Sequence, residues 1–184
     1  MTAYRPSRPT DYSRLITLQQ SLVSPSPQLL QTVVATQTIG NCLVSITETQ
    51  TVVGYALWFT STEQVVEEIS TLSNESRDHC DEDSVEAAGS AYMVDATGSA
   101  HLAELAIHPA YRRQGRGSQL LTAIFNQLTP GTQLTLNVAI NNKPARALYE
   151  TAGFTPICRH EKFYQNEING QTSASDAIVY AKVI

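Results

Sequence analysis

The sequence predicts an α/β fold: a mixed, mostly antiparallel central sheet flanked by helices. Three observations predict it. Residues 52–60 (VVGYALWFT) are apolar almost without interruption, as in a central strand covered on both faces. Leu15, Ile16, Leu18 and Leu22 recur at helical spacing, as do the apolar residues after Ser118, whereas 134–138 alternates as a strand. The segments 154–164 and 177–183 read as an antiparallel pair joined by the polar loop 165–175. No repeat or second domain is visible, so residues 1–184 are expected to form a single domain.

Taken in order, residues 3–9 are interrupted by Pro6 and Pro9 and suit an edge strand at most. Thr10 or Asp11 can cap the first helix, and the Ser24-Pro25-Ser26-Pro27 break can start a second over 28–37. A strand at 42–47 and a polar turn lead into 52–60, where Gly54 marks a bulge or a close backbone approach. Trp58 and Tyr55 are expected in the core.

Residues 63–89 hold about half of the acidic residues and a single basic one, Arg77. They read as an acidic insertion, either a solvated loop or a lid that draws a cationic amine. Within it His79, Cys80, Asp81 and Asp83 lack the spacing of a metal site, so no metal is expected. A short strand at 90–95 and a turn precede the strand 101–107. The helix 118–128 is stopped by Thr129-Pro130-Gly131, and a helix over 143–152 ends at Gly153.

Composition narrows the function classes. A chain of 184 residues can bury a core without disulfides or metals, and a formal net charge of −5 argues against a general nucleic-acid surface. Cys42, Cys80 and Cys158 are isolated, with no CxxC pair, so neither a zinc site nor a disulfide framework is expected. There is no apolar signal core at the amino terminus and no run long enough to cross a bilayer. A cytoplasmic protein with reduced thiols, no membrane partner and no nucleic-acid partner is therefore expected, a homodimer being left open.

The stretch 101–154 carries the functional signal. Leu102, Ala103, Leu105, Ala106 and Ile107 form an apolar strand broken by His108-Pro109, and Arg112, Arg113, Gln114, Gly115, Arg116, Gly117 and Ser118 then lead into a helix. A strand feeding a glycine-containing turn and a helix start is anion-binding geometry, because the first helical N–H groups have no internal partners. The two glycines let an anion approach the backbone and the arginines add positive charge, so a pyrophosphate is the expected ligand. No Lys follows Gly117, against a P-loop, and Leu120 stands where the dinucleotide fingerprint needs a third glycine.

What remains, Arg112-x-x-Gly115-x-Gly117, resembles the pyrophosphate loop of the GNAT superfamily of acetyl-CoA-dependent N-acetyltransferases. Downstream, Asn142-x-x-Ala145-x-x-Leu148-Tyr149-x-x-x-Gly153-Phe154 is similar to the same family's second signature. The resemblance implies an acyltransferase that takes acetyl-CoA as co-substrate and a primary amine as acceptor. No Cys lies in a recognised nucleophile setting, Cys42 and Cys158 falling in apolar strand patterns, so transfer in a direct ternary complex is expected. It implies that the pyrophosphate lies at residues 112–118, that the pantetheine arm runs along Leu105, Ala106 and Ile107, and that Asn142 contacts that arm. It also implies that the first two helices and their linker line the acceptor side.

Acetyl transfer needs a neutral amine, a donor for the charge developing on the carbonyl oxygen, and a proton for the departing thiolate. A phenol is neutral at physiological pH, and Tyr149 stands at the family's general-acid position; packing on an amphipathic helix is the other reading. Asn142 can equally cap its helix. Glu104 is the acid within the central strand, on the face of Leu102 and Ala106, and is the candidate base; a structural, hydrogen-bonded Glu is the alternative. His108 reads as a turn residue and His101 as exposed at a strand start. The tail Arg159…Phe163-Tyr164…Asp176-Ala177 is similar to acetyltransferases of protein N-termini, yet Asn137 stands where those often carry Glu. A small-molecule or peptide amine is the expected acceptor, with a protein N-terminal acetyltransferase and a non-catalytic acyl-CoA-binding module as alternatives.

Overall fold

The computed structural model describes residues 3–36, 39–61, 98–168 and 171–184. The acidic insertion expected at 63–89 and the strand expected at 90–95 lie outside the described residues. The chain groups into two compact units, one of residues 1–59 and 101–128, the other of 60–100 and 129–184.

In the first unit β1 (Ala3–Pro6), β2 (Asn41–Ile46), β3 (Val52–Ser61) and β4 (Gly98–Ile107) follow one another in the sheet. β1 pairs antiparallel with β2, and β2 with β3. β1 is the edge strand its two prolines suggested, and Pro6 costs no ladder bond there. α1 (Tyr12–Gln19) and α2 (Pro27–Thr36) lay Leu15, Leu18, Leu30, Val33 and Val34 against Cys42, Val44, Ile46, Tyr55, Leu57 and Ala106. Pro27 opens α2 at a first-turn position where its missing N–H costs nothing. Strand alternation turns Ser45 to the other face, where α3 (Arg116–Phe125) buries Leu120, Leu121, Ala123 and Ile124.

Gly54 makes the close approach read from the sequence. A Cβ there would collide with the Ile107 side chain and lie 2.9 Å from the Ala106 carbonyl oxygen. Only glycine lets β3 and the end of β4 come this near. The N–H of His108 then donates to the Val53 carbonyl at 2.8 Å, tying the end of β4 to β3.

In the second unit β5 (Thr132–Ala139), β7 (Gln171–Val183) and β6 (Thr155–Ile168) lie in that order, both pairings antiparallel. α4 (Lys143–Thr151) precedes β6, and Gly153 after it takes φ +87°, the left-handed turn that ends a helix. The expected polar loop 165–175 is instead strand: Gln165 pairs with Ala174 and Ile168 with Gln171. Those strands pair through their backbones, for which a polar sequence gives no hydropathy signal.

Two local expectations are corrected. Asp11 sits at the amino-terminal cap of α1 but makes no capping bond to it. Its carboxylate accepts from Arg5 at 2.7 and 2.9 Å and from the Arg8 N–H at 2.8 Å. The cysteines also differ from one another: Cys42 is a free buried thiol that burial pushes up to about 12, whereas Cys158 is disulfide-bonded rather than an isolated thiol. No helix among the described residues is long and apolar enough to cross a membrane.

The Arg5 hydrogen bonds hold the Asp11 carboxyl below its ordinary 3.8, outweighing burial. A depressed carboxyl contributes stability above the unfolded pKa and loses it as pH falls through the folded one. Asp11→Asn is therefore expected to flatten the acid limb of thermal stability below about pH 4. Melting curves of the two proteins between neutral and acid pH check this.

Candidate active site

In the first unit β4 ends at Ile107, and His108 turns the chain into a 3-10 turn, Pro109–Tyr111. His108 is a turn residue as expected, its Nδ1 accepting from the Ala110 N–H at 3.3 Å. Gly115 then takes φ +75° as the amino-terminal cap of α3, with no atom within 4 Å of a would-be Cβ. Arg113 is also left-handed, with φ +59°. The earliest bond closing this end runs from the Gln119 N–H to the Gly115 carbonyl at 3.0 Å, so the N–H groups of Arg116, Gly117 and Ser118 precede it. Open space above a left-handed glycine and donors at a ten-residue helix start fit a pyrophosphate.

The three arginines have different surroundings. Arg112 donates through Nε to the Ile107 carbonyl at 2.9 Å, which closes the loop on its own strand. Arg116 reaches across to β2. It donates to Ser45 Oγ at 3.0 Å and the Ile46 carbonyl at 3.2 Å, and lies 5.4 Å from the centre of the Tyr111 ring. Its buried Nε has no partner among the described residues. Its guanidinium thus ties the loop to β2. Arg113 and Gln114 are exposed, and Gln114 reaches back to the Ala110 carbonyl at 3.2 Å.

Glu104 is on the buried face of β4 with Leu102 and Ala106, as alternation required, and is 5 % exposed. Gln19 Nε2 donates to both its oxygens at 2.8 and 2.9 Å, the Ser26 N–H to Oε1 at 3.0 Å, and the Tyr55 hydroxyl to Oε2 at 2.6 Å. Burial and the neighbouring carboxylate push the Tyr55 phenol far upward, so it stays a donor. Sequence reasoning missed Gln19. Its signal was a polar residue on the apolar stripe of α1, four positions after Leu15 and three before Leu22. His101 is half-buried rather than exposed, and burial lowers its pKa.

In the second unit Asn142 caps α4, its Oδ1 accepting from the Ala145 N–H at 3.3 Å, and Pro144 lies in the first turn. Tyr149 is the buried residue of α4, packed edge-on to Phe154 at 5.8 Å and against Tyr180 at 6.4 Å. Burial, and then the nearby Tyr164, push its phenol well upward, so it is protonated at any physiological pH. Arg146 Nε donates to the Tyr180 hydroxyl at 3.2 Å, and that hydroxyl donates to Glu150 at 2.6 Å. In the tail, Asp176 accepts from Arg159 and from the Lys162 N–H at 2.9 Å, holding a bulge in β6 beside the exposed Phe163.

An acetyltransferase (GNAT) domain family model matches residues 79–156, which include the loop, Asn142 and Tyr149. Over those residues the chain is similar to the GNAT acetyltransferase domain. The [ribosomal protein bS18]-alanine N-acetyltransferase of Haemophilus ducreyi is 39 % identical to it over 67 residues, 35 % of this chain. That match covers 46 % of the relative, so the chain spans about half of that protein's length. Among solved structures, Arabidopsis thaliana NAA60 in complex with acetyl-CoA superposes with TM-score 0.70 and 20 % identity, covering 100 % of this chain and 99 % of that one. The ribosomal-protein-S18-alanine N-acetyltransferase of Escherichia coli gives TM-score 0.68 at 20 % identity, covering 100 % and 94 %. At such identities the agreement is one of fold, and the fold is that of the GNAT domain.

Because Gly115 is left-handed but unobstructed, Gly115→Ala is expected to cost about 1–2 kcal/mol through backbone strain alone. Chemical denaturation checks the magnitude.

Proposed function

We propose that this GNAT protein is an N-acetyltransferase that transfers an acetyl group from acetyl-CoA to a primary amine, in a ternary complex without a covalent enzyme. The observation that carries the reading is the left-handed, unobstructed Gly115 at the start of α3. It leaves the N–H groups of Arg116, Gly117 and Ser118 and the exposed Arg113 to hold the pyrophosphate of acetyl-CoA. Leu105, Ala106 and Ile107 accompany the pantetheine arm, and Asn142 contacts it while capping α4. When bound, acetyl-CoA supplies the activated acetyl group.

Tyr149 is the proposed general acid, giving its phenolic proton to the departing thiolate. Burial makes the phenol a weaker acid but keeps it protonated, so it can offer a proton or a hydrogen bond to the sulfur, and no hydrogen bond within the described residues engages its hydroxyl. Cys42 is no rival nucleophile, because a buried thiol held at about 12 is inert. The two relatives named for ribosomal-protein alanine acetylation, together with the Arg159–Asp176 pair, favour a peptide N-terminus as acceptor. Asn137 weighs against it, since an amide cannot serve as base where those enzymes often carry Glu. A small-molecule amine therefore stays beside the peptide N-terminus.

Thiol release from acetyl-CoA against a panel of amines and N-terminal peptides tests the reading. Turnover on one amine class is expected, with Tyr149→Phe lowering kcat by about 10²–10⁴-fold. Gly117→Glu is expected to abolish acetyl-CoA binding by calorimetry, because a carboxylate would occupy the anion site. Binding without turnover across the panel would instead identify a non-catalytic acyl-CoA-binding module.

A further inference from the structure

A carboxylate has about four acceptor positions, and at Glu104 four hydrogen bonds occupy them. A general base needs a lone pair directed at the proton it removes, within hydrogen-bond reach or through one water. The donors at Glu104 are neutral, and they come from three places. Gln19 is the last residue of α1, the Ser26 N–H immediately precedes α2, and Tyr55 lies on β3. The Ser26 carbonyl in turn accepts from the Leu30 N–H at 3.1 Å, so Ser26 belongs to the first turn of α2. One carboxylate therefore gathers both ends of the α1–α2 linker, residues 20–26, onto the sheet. Within that linker Leu22 packs on the core while Val23 is held out, 41 % exposed.

We propose that Glu104 is a positioning residue: by hydrogen-bonding Gln19, Ser26 and Tyr55 it fixes the α1–α2 linker against which the amine acceptor docks, and it does not itself take the acceptor's proton. The proposal rests on the acetyl-transfer reading above, with the linker on the acceptor side. Its chemistry is geometric. Charge-assisted bonds from neutral donors are strong in a dry site, and losing them frees the linker without touching the helix start that holds acetyl-CoA.

The test compares Glu104→Gln with Tyr55→Phe, a milder change that removes one donor and keeps the ring. For both variants the KM for the amine is expected to rise roughly ten-fold, the loss of about one charge-assisted hydrogen bond. The KM for acetyl-CoA and the shape of the kcat–pH profile are expected to stay as in the wild type. Amide hydrogen exchange across residues 20–26 is expected to accelerate in both, a readout that needs no substrate. The proposal is overturned if Glu104→Gln flattens the alkaline rise of kcat while Tyr55→Phe is silent, the pattern of a base. It is equally overturned if exchange in the linker is unchanged in both variants. Failure of the acetyl-transfer reading is distinguishable, since it appears as absent turnover in the wild type.

Discussion

The strongest constraint on the first unit is the burial of the Glu104 carboxylate in an apolar strand. Stripping water from a carboxylate is costly unless every lone pair is given a partner. Here the partners are Gln19, Ser26 and Tyr55, themselves on α1, at the start of α2 and on β3. Satisfying one charge thus dictates where two helices and a strand meet. The apolar cluster of Leu15, Leu18, Leu30, Val44 and Ala106 closes around that arrangement, and the dry surroundings strengthen the bonds they enclose. Displacing any of the three partners would leave a charge in an apolar medium, so the cluster behaves as a unit.

The same strand leads into the glycine turn and the start of α3. Gly54 lets β3 approach Ala106 and Ile107, and the chain then leaves the sheet at His108 and turns through Gly115 into α3. Positive charge here has two uses. Arg112 and Arg116 donate to Ile107, Ser45 and Ile46 and so tie the loop to β4 and β2, while Arg112 and Arg113 are both exposed. Preorganised N–H groups at a helix start bind anions without reorganisation at the moment of binding.

In the second unit packing and chemistry coincide on α4. Tyr149 lies between Phe154 and Tyr180, so its ring position is set by aromatic neighbours. Tyr180 is itself held by Arg146 and Glu150 on the solvent side of the same helix. Both readings of Tyr149, core aromatic and proton donor, are therefore compatible with one geometry: burial fixes the ring and keeps the phenol protonated. Asn142 likewise caps its helix whatever else it touches.

The sequence by itself determined the elements whose signal is local. Hydropathy period revealed the buried strands and the helices, the prolines of residues 3–9 marked an edge, and the glycine pattern at 115–117 marked a turn into a helix. Each of those depends on neighbours within a few residues along the chain. What local pattern could not contain, tertiary structure decided. The polar stretch around 165–175 pairs as strand because backbone bonds, not hydropathy, hold it. Asp11 serves Arg5 rather than its own helix, and the Arg116 guanidinium reaches Ser45 and Ile46 of β2. Glu104 could be placed on its face by alternation, but its partners lie 85, 78 and 49 residues away. Partners so distant are chosen by which side chains packing brings together, and a linear pattern carries no record of that choice.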